Sequence, residues 1–272
     1  MSSPTIKSTD MPIPKYWELP LHEVSEFRPK RTKYCFIPIV YNEGERFIRQ
    51  LEEMSKNEAL ADIVVAERRS TDGSTDHELL KRCGVRTLLT TDELGGASAI
   101  RMGFAYALKQ GYEGVVLIDG NGKDGVRALP QYLQMLDEGY DFVQGSRFIP
   151  GGIEKNTPLS RRIGIKMIMI PLIWMGSGYI YSDATNGFRG YSRRLLCDPR
   201  IEPLRGCFVH FNIQYYLSVM APALKFRVVE IPVERVYPND GTVPTKVIGF
   251  KRNFQALWEM VLTVFRHYNP GS

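Results

Sequence analysis

The sequence predicts an α/β fold in which a mostly parallel β-sheet has helices on both faces. Two patterns predict it: short apolar runs alternate with helical patterns from Lys33 to Pro150, and a polar loop follows each apolar run directly. Strands and helices that alternate in this way usually form parallel strands joined by crossover helices. We therefore expect one central sheet in a single domain, followed by amphipathic helices toward the C-terminus.

The predicted strands are short apolar runs that turn-forming residues separate. They are residues 34–41, 62–67, 85–90, 115–119 and 142–148. Helical patterns fill the intervals between them. These patterns lie at residues 47–54, 77–83, 95–111 and 129–139. The third of these helices is expected to end at Gly111, because glycine favours the left-handed conformation of a helix C-terminus.

The character of the sequence changes after Pro150. Residues 163–180 have an amphipathic helical pattern, residues 227–238 contain two extended runs, and residues 250–268 predict a basic and aromatic helix. Residues 1–32 are polar, contain proline and lack a clear period. We therefore divide the chain into an N-terminal arm (1–32), a single domain (33–240), and a C-terminal basic loop with an amphipathic helix (241–272).

The composition excludes global disorder and favours an anionic partner. Of the 272 residues, 43% are apolar and 24% are charged, which is ordinary for a globular protein. The net charge of +5 suits an anionic substrate or membrane surface, and without a nucleic-acid-binding motif we expect no nucleic-acid partner. The four cysteines are scattered, and no secretory signal or apolar span of about 18–20 residues is evident. We expect a cytoplasmic protein, either soluble or peripheral at the cytoplasmic membrane face.

The polar loops after the predicted strands contain most of the reactive side chains. Their sequences are YNE, ERRSTDGS, GGASA, DGNGKDG and QGSRF. Because parallel strands end at one edge of a sheet, these loops should meet at that edge, where α/β proteins bind their ligands. The sequence therefore predicts one ligand site at the carboxyl ends of the strands.

In this order, the loops resemble the motifs of the inverting family-2 glycosyltransferases. Within that family the chain is most similar to the dolichol-phosphate and polyprenyl-phosphate mannose synthase branch, and the resemblance spans about residues 33–260. It implies the Rossmann-like GT-A fold, a nucleotide-sugar donor and transfer of a hexose with inversion. It also implies a polyprenyl (dolichyl-type) phosphate acceptor at the cytoplasmic membrane face.

The resemblance implies that the loops after the first four strands bind the nucleotide sugar. In the family, a P-x-Y-N-E loop and a D-D-G-S-T-D-G-T loop hold the nucleotide, and IVYNE and ERRSTDGS match them here. Arg68 and Arg69 replace an aspartate and a glycine of the second loop, so the identity of the base is open. The implied nucleotide-sugar contacts are Tyr41, Glu43, Glu67, Ser70, Asp72, Arg101, Gly120, Asn121 and Lys123.

The segment Asp119-Gly120-Asn121 aligns with the D-A-D segment that holds the metal and the diphosphate in the family. The resemblance thus implies that Asp119 and Asn121 bind Mg²⁺ or Mn²⁺, which prefer oxygen ligands. The site is weakened, because Asn121 removes a negative charge. Two interpretations of Lys123 are open. It partly replaces the metal in neutralising the diphosphate, or it forms a surface pair with Asp124 that has no function.

Basic residues later in the chain match the catalytic and acceptor motifs of the family. GSR matches at residues 145–147, GFR matches at 187–189, and RVYPNDGTVPTK corresponds to a basic loop that ends in S-K. An arginine suits a phosphate because its planar fork donates two parallel hydrogen bonds. The implied catalytic residues are Asp119, Arg147, Arg189 and Lys246, and the implied acceptor-phosphate residues are Arg147, Arg189, Arg193 and Arg235.

The choice of acceptor depends on a general base. A hydroxyl acceptor needs one, whereas a phosphate is already an anion. The segment RGCFVHFNIQYYLS has no carboxylate where many family-2 enzymes have an acid, and His210 is its one possible base. This favours a polyprenyl phosphate. Two alternatives are open: transfer to a saccharide hydroxyl in capsule, O-antigen or cell-wall synthesis, with His210 as base, and a non-catalytic nucleotide-sugar-binding protein.

A lipid acceptor also gives a role to the two amphipathic segments near the C-terminus. The 163–180 segment and the terminal helix are expected to lie on the leaflet that contains the lipid. Packing within the domain, or in a dimer whose existence the sequence does not predict, is the alternative for both segments.

Overall fold

The computed structural model describes residues 17–210, 212–238 and 250–271. The strands in these ranges are β1 (His22–Glu26), β2 (Tyr34–Val40), β3 (Asp62–Glu67), β4 (Val85–Thr91), β5 (Gly114–Asp119), β6 (Phe142–Ser146), β7 (Ile153–Lys155), β8 (Arg189–Ser192), β9 (Val228–Pro232) and β10 (Glu234–Val236). One sheet contains eight of the described strands in the order β1-β4-β3-β2-β5-β8-β6-β9, and β7 and β10 form a separate parallel pair. All strands of the large sheet are parallel except β1 and β8, so the predicted mostly parallel sheet is confirmed.

Helices cover both faces of this sheet. They are α1 (Glu45–Ser55), α2 (His77–Arg82), α3 (Gly96–Lys109), α4 (Leu129–Asp137), α5 (Leu159–Gly164), α6 (Ile170–Ser177), α7 (Arg193–Leu196), α8 (Asn212–Ala223) and α9 (Phe250–Val264). Apolar side chains of α1, α2 and α4 form a core on one face, and those of α3, α6, α8 and α9 form a core on the other. The predicted helices on both faces are confirmed.

The continuous apolar run of β5 follows from its central position. Val115 and Leu117 pack into one core, while Val116 and Ile118 pack into the other. Because successive side chains of a strand point to opposite faces, a strand that is covered on both sides needs apolar residues at every position. The strand ends at Asp119, where the chain leaves the core and the candidate site begins.

The edge strand β1 lies within the segment that the sequence predicts to be an arm. It pairs antiparallel with β4, and the Glu18 N–H ahead of it donates a hydrogen bond to the Leu204 carbonyl (2.9 Å). Its sequence HEVSE has one apolar residue, Val24, whose side chain is exposed. No apolar pattern in the sequence therefore predicts this strand. Residues 22–26 of the predicted arm therefore belong to the sheet.

The antiparallel strand β8 also lacks an apolar pattern, because its four residues are RGYS. It lies between β5 and β6 and runs against both. As a result, Arg189 at its start is at the carboxyl edge of the parallel strands, and Ser192 at its end is at their amino edge. This reversal determines where the arginines of the following motif lie.

Residues 159–177 form a nearly continuous helix in which a π-helical turn, Ile165–Met169, joins α5 to α6. The predicted helical pattern at 163–180 is confirmed as far as Ser177, and the helix begins earlier than predicted. Arg266, just beyond α9, donates a hydrogen bond to the Gly176 carbonyl (2.6 Å), which joins the C-terminal segment to α6. Among the described residues, no helix has the length and apolarity that crossing a bilayer requires.

Candidate functional site

The loops after β2 and β3 lie side by side at the carboxyl edge of the sheet. The Asn42 N–H donates to Ser70 Oγ (3.2 Å), and the Thr71 N–H donates to Asn42 Oδ1 (2.8 Å). The Gly44 N–H donates to Asp72 Oδ2 (2.6 Å). The predicted nucleotide contacts Ser70 and Asp72 therefore hold the two loops together, with Asn42 in a left-handed conformation (φ 49°) between them.

Glu67, the acid at the end of β3, is buried beneath these loops. Its carboxylate accepts hydrogen bonds from the Ser70 N–H (2.6 Å) and the Thr90 hydroxyl (2.9 Å). The side chain therefore shapes the loop after β3, and its contact with the nucleotide stays a prediction.

Tyr41 and Glu43 are the other predicted nucleotide contacts on these loops. The Arg68 guanidinium lies 4.1 Å from the centroid of the Tyr41 ring, and Glu43 forms an ion pair with Arg46 (3.3 Å). Arg68, which departs from the family motif, thus packs on a residue that the motif retains. A nucleobase that binds at Tyr41 would therefore also lie close to the Arg68 guanidinium.

Asp119 lies in a cluster of opposite charges at the end of β5. Arg235 of β10 donates to both carboxylate oxygens of Asp124 (2.7 and 2.6 Å) and to Asn186 Oδ1 (3.3 Å). Its Nη2 lies 3.5 Å from Asp119 Oδ2. Burial acts to raise the pKa of Asp119, but the charges of Arg235 and Lys123 outweigh burial and lower that pKa below its ordinary value. The structure thus brings Arg235, a predicted acceptor-phosphate residue, to the strand end that contains Asp119.

Lys123 is buried, with 3% of its surface exposed, and its ammonium group forms no ion pair with any described residue. Asp124, the partner that a surface pair would need, is bound by Arg235 instead. Burial and, next, repulsion by Arg235 lower the pKa of Lys123 to about 7. The interpretation of Lys123 as a solvated lysine paired with Asp124 is therefore wrong.

Arg147 follows β6 and is held by the buried carboxylate of Asp183. Its Nε donates to Asp183 Oδ2 (2.6 Å), and its Nη2 donates to Oδ1 (3.2 Å). The remaining nitrogen, Nη1, is buried and has no hydrogen-bond partner in the described part of the chain. Asp183 therefore fixes the orientation of the guanidinium and leaves one donor for a further acceptor.

Arg189 requires a correction of its predicted catalytic and acceptor-phosphate roles. The side chain is fully buried, and its guanidinium donates to the carbonyls of Asn186 (2.7 Å), Gln214 (2.6 Å) and Ala184 (2.9 Å). Because protein oxygens already accept these hydrogen bonds, the guanidinium has a structural role. It joins β8 to α8 beneath the site.

Arg193 requires a second correction, because β8 places it at the wrong edge of the sheet. Its guanidinium donates to the carbonyls of Leu108 (2.9 Å) and Tyr112 (3.3 Å), which precede β5. Asp119 is at the opposite end of β5, roughly 17 Å away at the rise of a strand. The prediction that Arg193 binds the acceptor phosphate together with Arg147 is therefore wrong.

Three predicted residues do not belong to the cluster of Asp119, Lys123, Asp124 and Arg235 in the part of the chain that the structure describes. Arg101 of α3 donates to the Glu18 carbonyl and the Glu93 carboxylate, so it joins the N-terminal segment to α3. His210 is close enough to Glu259 of α9 for their charges to interact. Lys246 lies outside the described residues, and its predicted role stays a prediction.

Gly120 and Asn121 shape the loop that follows Asp119. A Cβ on Gly120 would lie 2.8 Å from the Ile39 carbonyl oxygen, so only glycine permits this approach to β2. The amide oxygen of Asn121 accepts a hydrogen bond from the Lys123 N–H (3.3 Å). A cavity of about 460 Å³ borders the loop, and Asn121, Lys123 and Tyr237 are among the residues that line it.

These residues fit a divalent cation poorly. Asp119 supplies one carboxylate, and a guanidinium already lies 3.5 Å from it. In the described ranges, no three His, Cys, Asp or Glu side chains are grouped so as to hold a metal ion. Because Arg235 already balances part of the negative charge of Asp119 and Asp124, little uncompensated negative charge is left for a divalent cation. The predicted Mg²⁺ or Mn²⁺ site at Asp119 and Asn121 thus lacks the acidic ligands that such ions prefer.

Sequence reasoning missed two residues of this cluster, Asp124 as the partner of Arg235 and Tyr237. Tyr237 lies two residues after Arg235, and alternate residues of a strand share a face, so the strand pattern of RVY was an available signal. The contact between Asp124 and Arg235 joins residues 111 positions apart, and no local pattern indicates it.

Comparisons with known proteins give a family match and several relatives. The family model described as "Glycosyl transferase family 2" matches residues 35–198. The polyprenol monophosphomannose synthase of Mycolicibacterium smegmatis is 29% identical over 211 residues, which cover 76% of this chain and 78% of that protein. The undecaprenyl-phosphate mannosyltransferase of Micrococcus luteus is 27% identical over 203 residues, which cover 71% of this chain and 79% of that protein.

A solved structure is similar in fold. It is the glucosyl-3-phosphoglycerate synthase from Mycobacterium tuberculosis in complex with Mn²⁺, UDP and glucosyl-3-phosphoglycerate. The two chains superimpose with a TM-score of 0.57 at 14% identity, over 86% of this chain and 79% of the other. At this identity the likeness concerns the fold alone.

Proposed function

The chain belongs to glycosyl transferase family 2 and has the GT-A fold, and from this premise we propose that it transfers a hexose from a nucleotide sugar to a polyprenyl phosphate with inversion. Membership of the family makes it a glycosyltransferase. The lipid acceptor is supported by the two curated relatives, whose names specify a polyprenol or undecaprenyl phosphate product or substrate.

One observation supports a phosphate acceptor most directly: the site contains buried donors that lack acceptors. Lys123 has no ion pair in the described residues, and Arg147 Nη1 and Arg235 Nε have no hydrogen-bond partner there. The neighbouring carboxylates of Asp124 and Asp183 are already bound by guanidinium groups. A phosphate offers several charged oxygen acceptors, so it would pair with these donors more strongly than a neutral saccharide hydroxyl would.

In this proposal the reaction is a single displacement. A phosphate oxygen of the acceptor attacks the anomeric carbon from the face opposite the nucleoside diphosphate, and the new C–O bond forms as the bond to the diphosphate breaks. Because the acceptor is already an anion, no proton has to be removed. Lys123 and Arg235 neutralise the leaving diphosphate with charges that belong to the chain itself, which the poor fit to a divalent cation supports.

We expect the purified protein, given nucleotide sugars and a short polyprenyl phosphate, to form an acid-labile lipid-linked sugar. GDP- and UDP-hexoses should both be tested, because the residues on the nucleotide loops leave the base open. The variant His210→Gln should keep the rate of the parent, since an anionic acceptor needs no general base.

Two results would contradict this proposal. Product formed only on free saccharides, with His210→Gln slowing transfer by about 10²-fold or more, would indicate a hydroxyl acceptor and a histidine base. Binding of nucleotide sugars with neither transfer nor hydrolysis under any condition would indicate a non-catalytic binding protein.

We also propose that the surface formed by the α5–α6 helix and α9 contacts the membrane that contains the lipid acceptor, at its cytoplasmic face. Large apolar side chains are exposed on these helices and beside them. They are Leu159, Ile163, Met167, Ile168, Trp174, Met175, Phe254, Trp258 and Phe265. Arg161, Arg162 and Lys166 on the same helix add positive charge, and anionic lipids attract such charge. The combination supports a leaflet as the partner of this surface.

The double variant Met167→Asp/Ile168→Asp should bind vesicles that contain anionic lipid about 10²-fold more weakly than the parent. Met167 is 72% exposed and Ile168 is 46% exposed, and an apolar side chain of this size contributes about 1.5–3 kcal/mol when a membrane buries it. Co-sedimentation with vesicles measures the change.

Leu60→Asp is the matched control, because Leu60 is 45% exposed but lies after α1, away from these helices. It should bind vesicles like the parent. Equal binding by all three proteins would contradict the proposal, and so would a parent dimer that only the double variant dissociates.

A further inference from the structure

Tyr237, the residue after β10, has a buried hydroxyl without a well-formed hydrogen bond to any described residue. The side chain is 2% exposed, and the Arg235 guanidinium lies close enough to the hydroxyl to interact with it, but not at hydrogen-bond geometry. An unpaired hydroxyl in a protein interior is costly, so such a group calls for an explanation.

The backbone of Tyr237 is firmly held, so a loosely placed side chain does not explain the unpaired hydroxyl. The Tyr237 N–H donates to the Lys155 carbonyl (3.0 Å), and Asn156 Nδ2 donates to the Tyr237 carbonyl (3.0 Å). Both partners belong to β7 or the residue after it. The phenol is therefore presented from a fixed position beside the strand pair β7–β10.

The surroundings of the ring are positively charged. Lys123 Nζ lies 5.2 Å from the ring centroid, and the Arg235 guanidinium carbon lies 5.9 Å from it. Burial alone would raise the pKa of Tyr237, but the charges of Arg235, Arg161 and Arg147 outweigh burial and lower that pKa. A hydroxyl donor at a positive potential is suited to an anionic acceptor.

Tyr237 also borders a space for a ligand, because it lines the cavity of about 460 Å³ together with Lys123 and Asn121. We propose that the Tyr237 hydroxyl donates a hydrogen bond to a phosphate oxygen of a reactant. Lys123 and Arg235 then lie beside the same phosphate. The proposal rests on the proposed function, in which the donor diphosphate and the lipid acceptor both present this chemistry. Tyr237 is then a catalytic residue that contacts substrate.

The test is Tyr237→Phe, which removes only the hydroxyl. Calorimetry should measure binding of GDP, UDP and farnesyl phosphate to the full-length protein. We expect the affinity for at least one of these probes to fall about 10- to 100-fold, as for a hydrogen bond to a charged group. The melting temperature should change little, because the hydroxyl forms no well-formed hydrogen bond in the described protein. A loss confined to the nucleoside diphosphates assigns the contact to the donor, and a loss confined to farnesyl phosphate assigns it to the acceptor.

Tyr191→Phe is the matched control. Tyr191 of β8 also has a buried hydroxyl without a well-formed hydrogen bond in the described residues, in its case beside Arg189. Burial raises its pKa, however, and it is absent from the lining of the cavity. This variant should bind all three probes like the parent. Unchanged affinities in Tyr237→Phe would overturn the inference, as would a loss matched by Tyr191→Phe.

Failure of the proposed function gives a different result. A parent that binds these phosphates but transfers no sugar to a polyprenyl phosphate would contradict the function, and the binding data would still decide the role of Tyr237. A parent that binds none of the three probes would overturn both.

Discussion

Replacing Asp119 with asparagine is expected to slow sugar transfer by about 10²–10³-fold, the range seen when one preorganised electrostatic group is removed from an active site. The carboxylate balances Arg235, whose Nη2 lies 3.5 Å away, and helps to fix it where we propose that the diphosphate binds. Asparagine has nearly the same shape as aspartate, so it fits against the backbone of Gly187. The two residues are so close that a Cβ on Gly187 would lie 2.7 Å from Asp119 Oδ1. In this variant Arg235 keeps its ion pair with Asp124, so the melting temperature should change little. Steady-state kinetics and thermal unfolding measure the two effects.

The control for this experiment is Asp137→Asn. Asp137 is also paired with a cation, Lys33 (2.6 Å), but it ends α4 and lies outside the charge cluster. It should retain full activity. An Asp119→Asn enzyme with near-normal kcat/KM would show that the active site does not lie at the carboxyl end of β5.

Lys123→Ala is expected to slow transfer by up to about 10³-fold at any concentration of Mg²⁺ or Mn²⁺. An ammonium about 4 Å from a phosphate oxygen gains about 4 kcal/mol at an effective dielectric of 20, which corresponds to that factor. Lys123→Gln replaces the charge with a neutral oxygen ligand beside Asp119, so this variant should recover part of its rate when the metal is added. Metal titrations with chelator controls measure the difference.

Lys56→Ala is a suitable control, because Lys56 is exposed at the end of α1 and pairs with Glu53. The parent and this control should depend on added metal only weakly. Loss of all parent activity with a chelator, together with unchanged curves for both Lys123 variants, would mean that a metal performs the neutralisation without help from the lysine.

The sequence predicted the parallel part of the sheet and the edge at which the site lies, because both follow from local patterns. Apolar runs such as that of β5 identify strands covered on both sides, and the parallel arrangement then brings Asp119 and the loops of Tyr41 and Ser70 to one edge. The family motifs also pointed to Arg147 and Arg235, which the structure has at the end of β6 and beside Asp119, and their roles there stay predictions.

The roles of the arginines in β8 and after it could not be predicted in the same way. The four-residue strand β8 runs antiparallel to β5. Arg189 at its start and Arg193 just after its end therefore lie at opposite edges of the sheet. Whether an arginine faces a ligand or protein carbonyls depends on distant segments, as the hydrogen bond from Arg189 to Gln214 illustrates. Burial of Lys123 likewise depends on Arg235 and Tyr237, which are more than 100 positions away along the chain.

The contact of Glu18 with Leu204 bears on how the protein folds during synthesis. The Glu18 N–H donates to the Leu204 carbonyl, and the Glu18 carboxylate accepts from the Gly206 N–H, 188 positions along the chain. Contacts between such distant residues form slowly, because a long loop has to close first. A ribosome has therefore translated three quarters of the chain before the segment ahead of β1 can reach its final partners. Until then the segment ahead of β1 lacks these partners, and it stays exposed while the earlier strands and helices assemble.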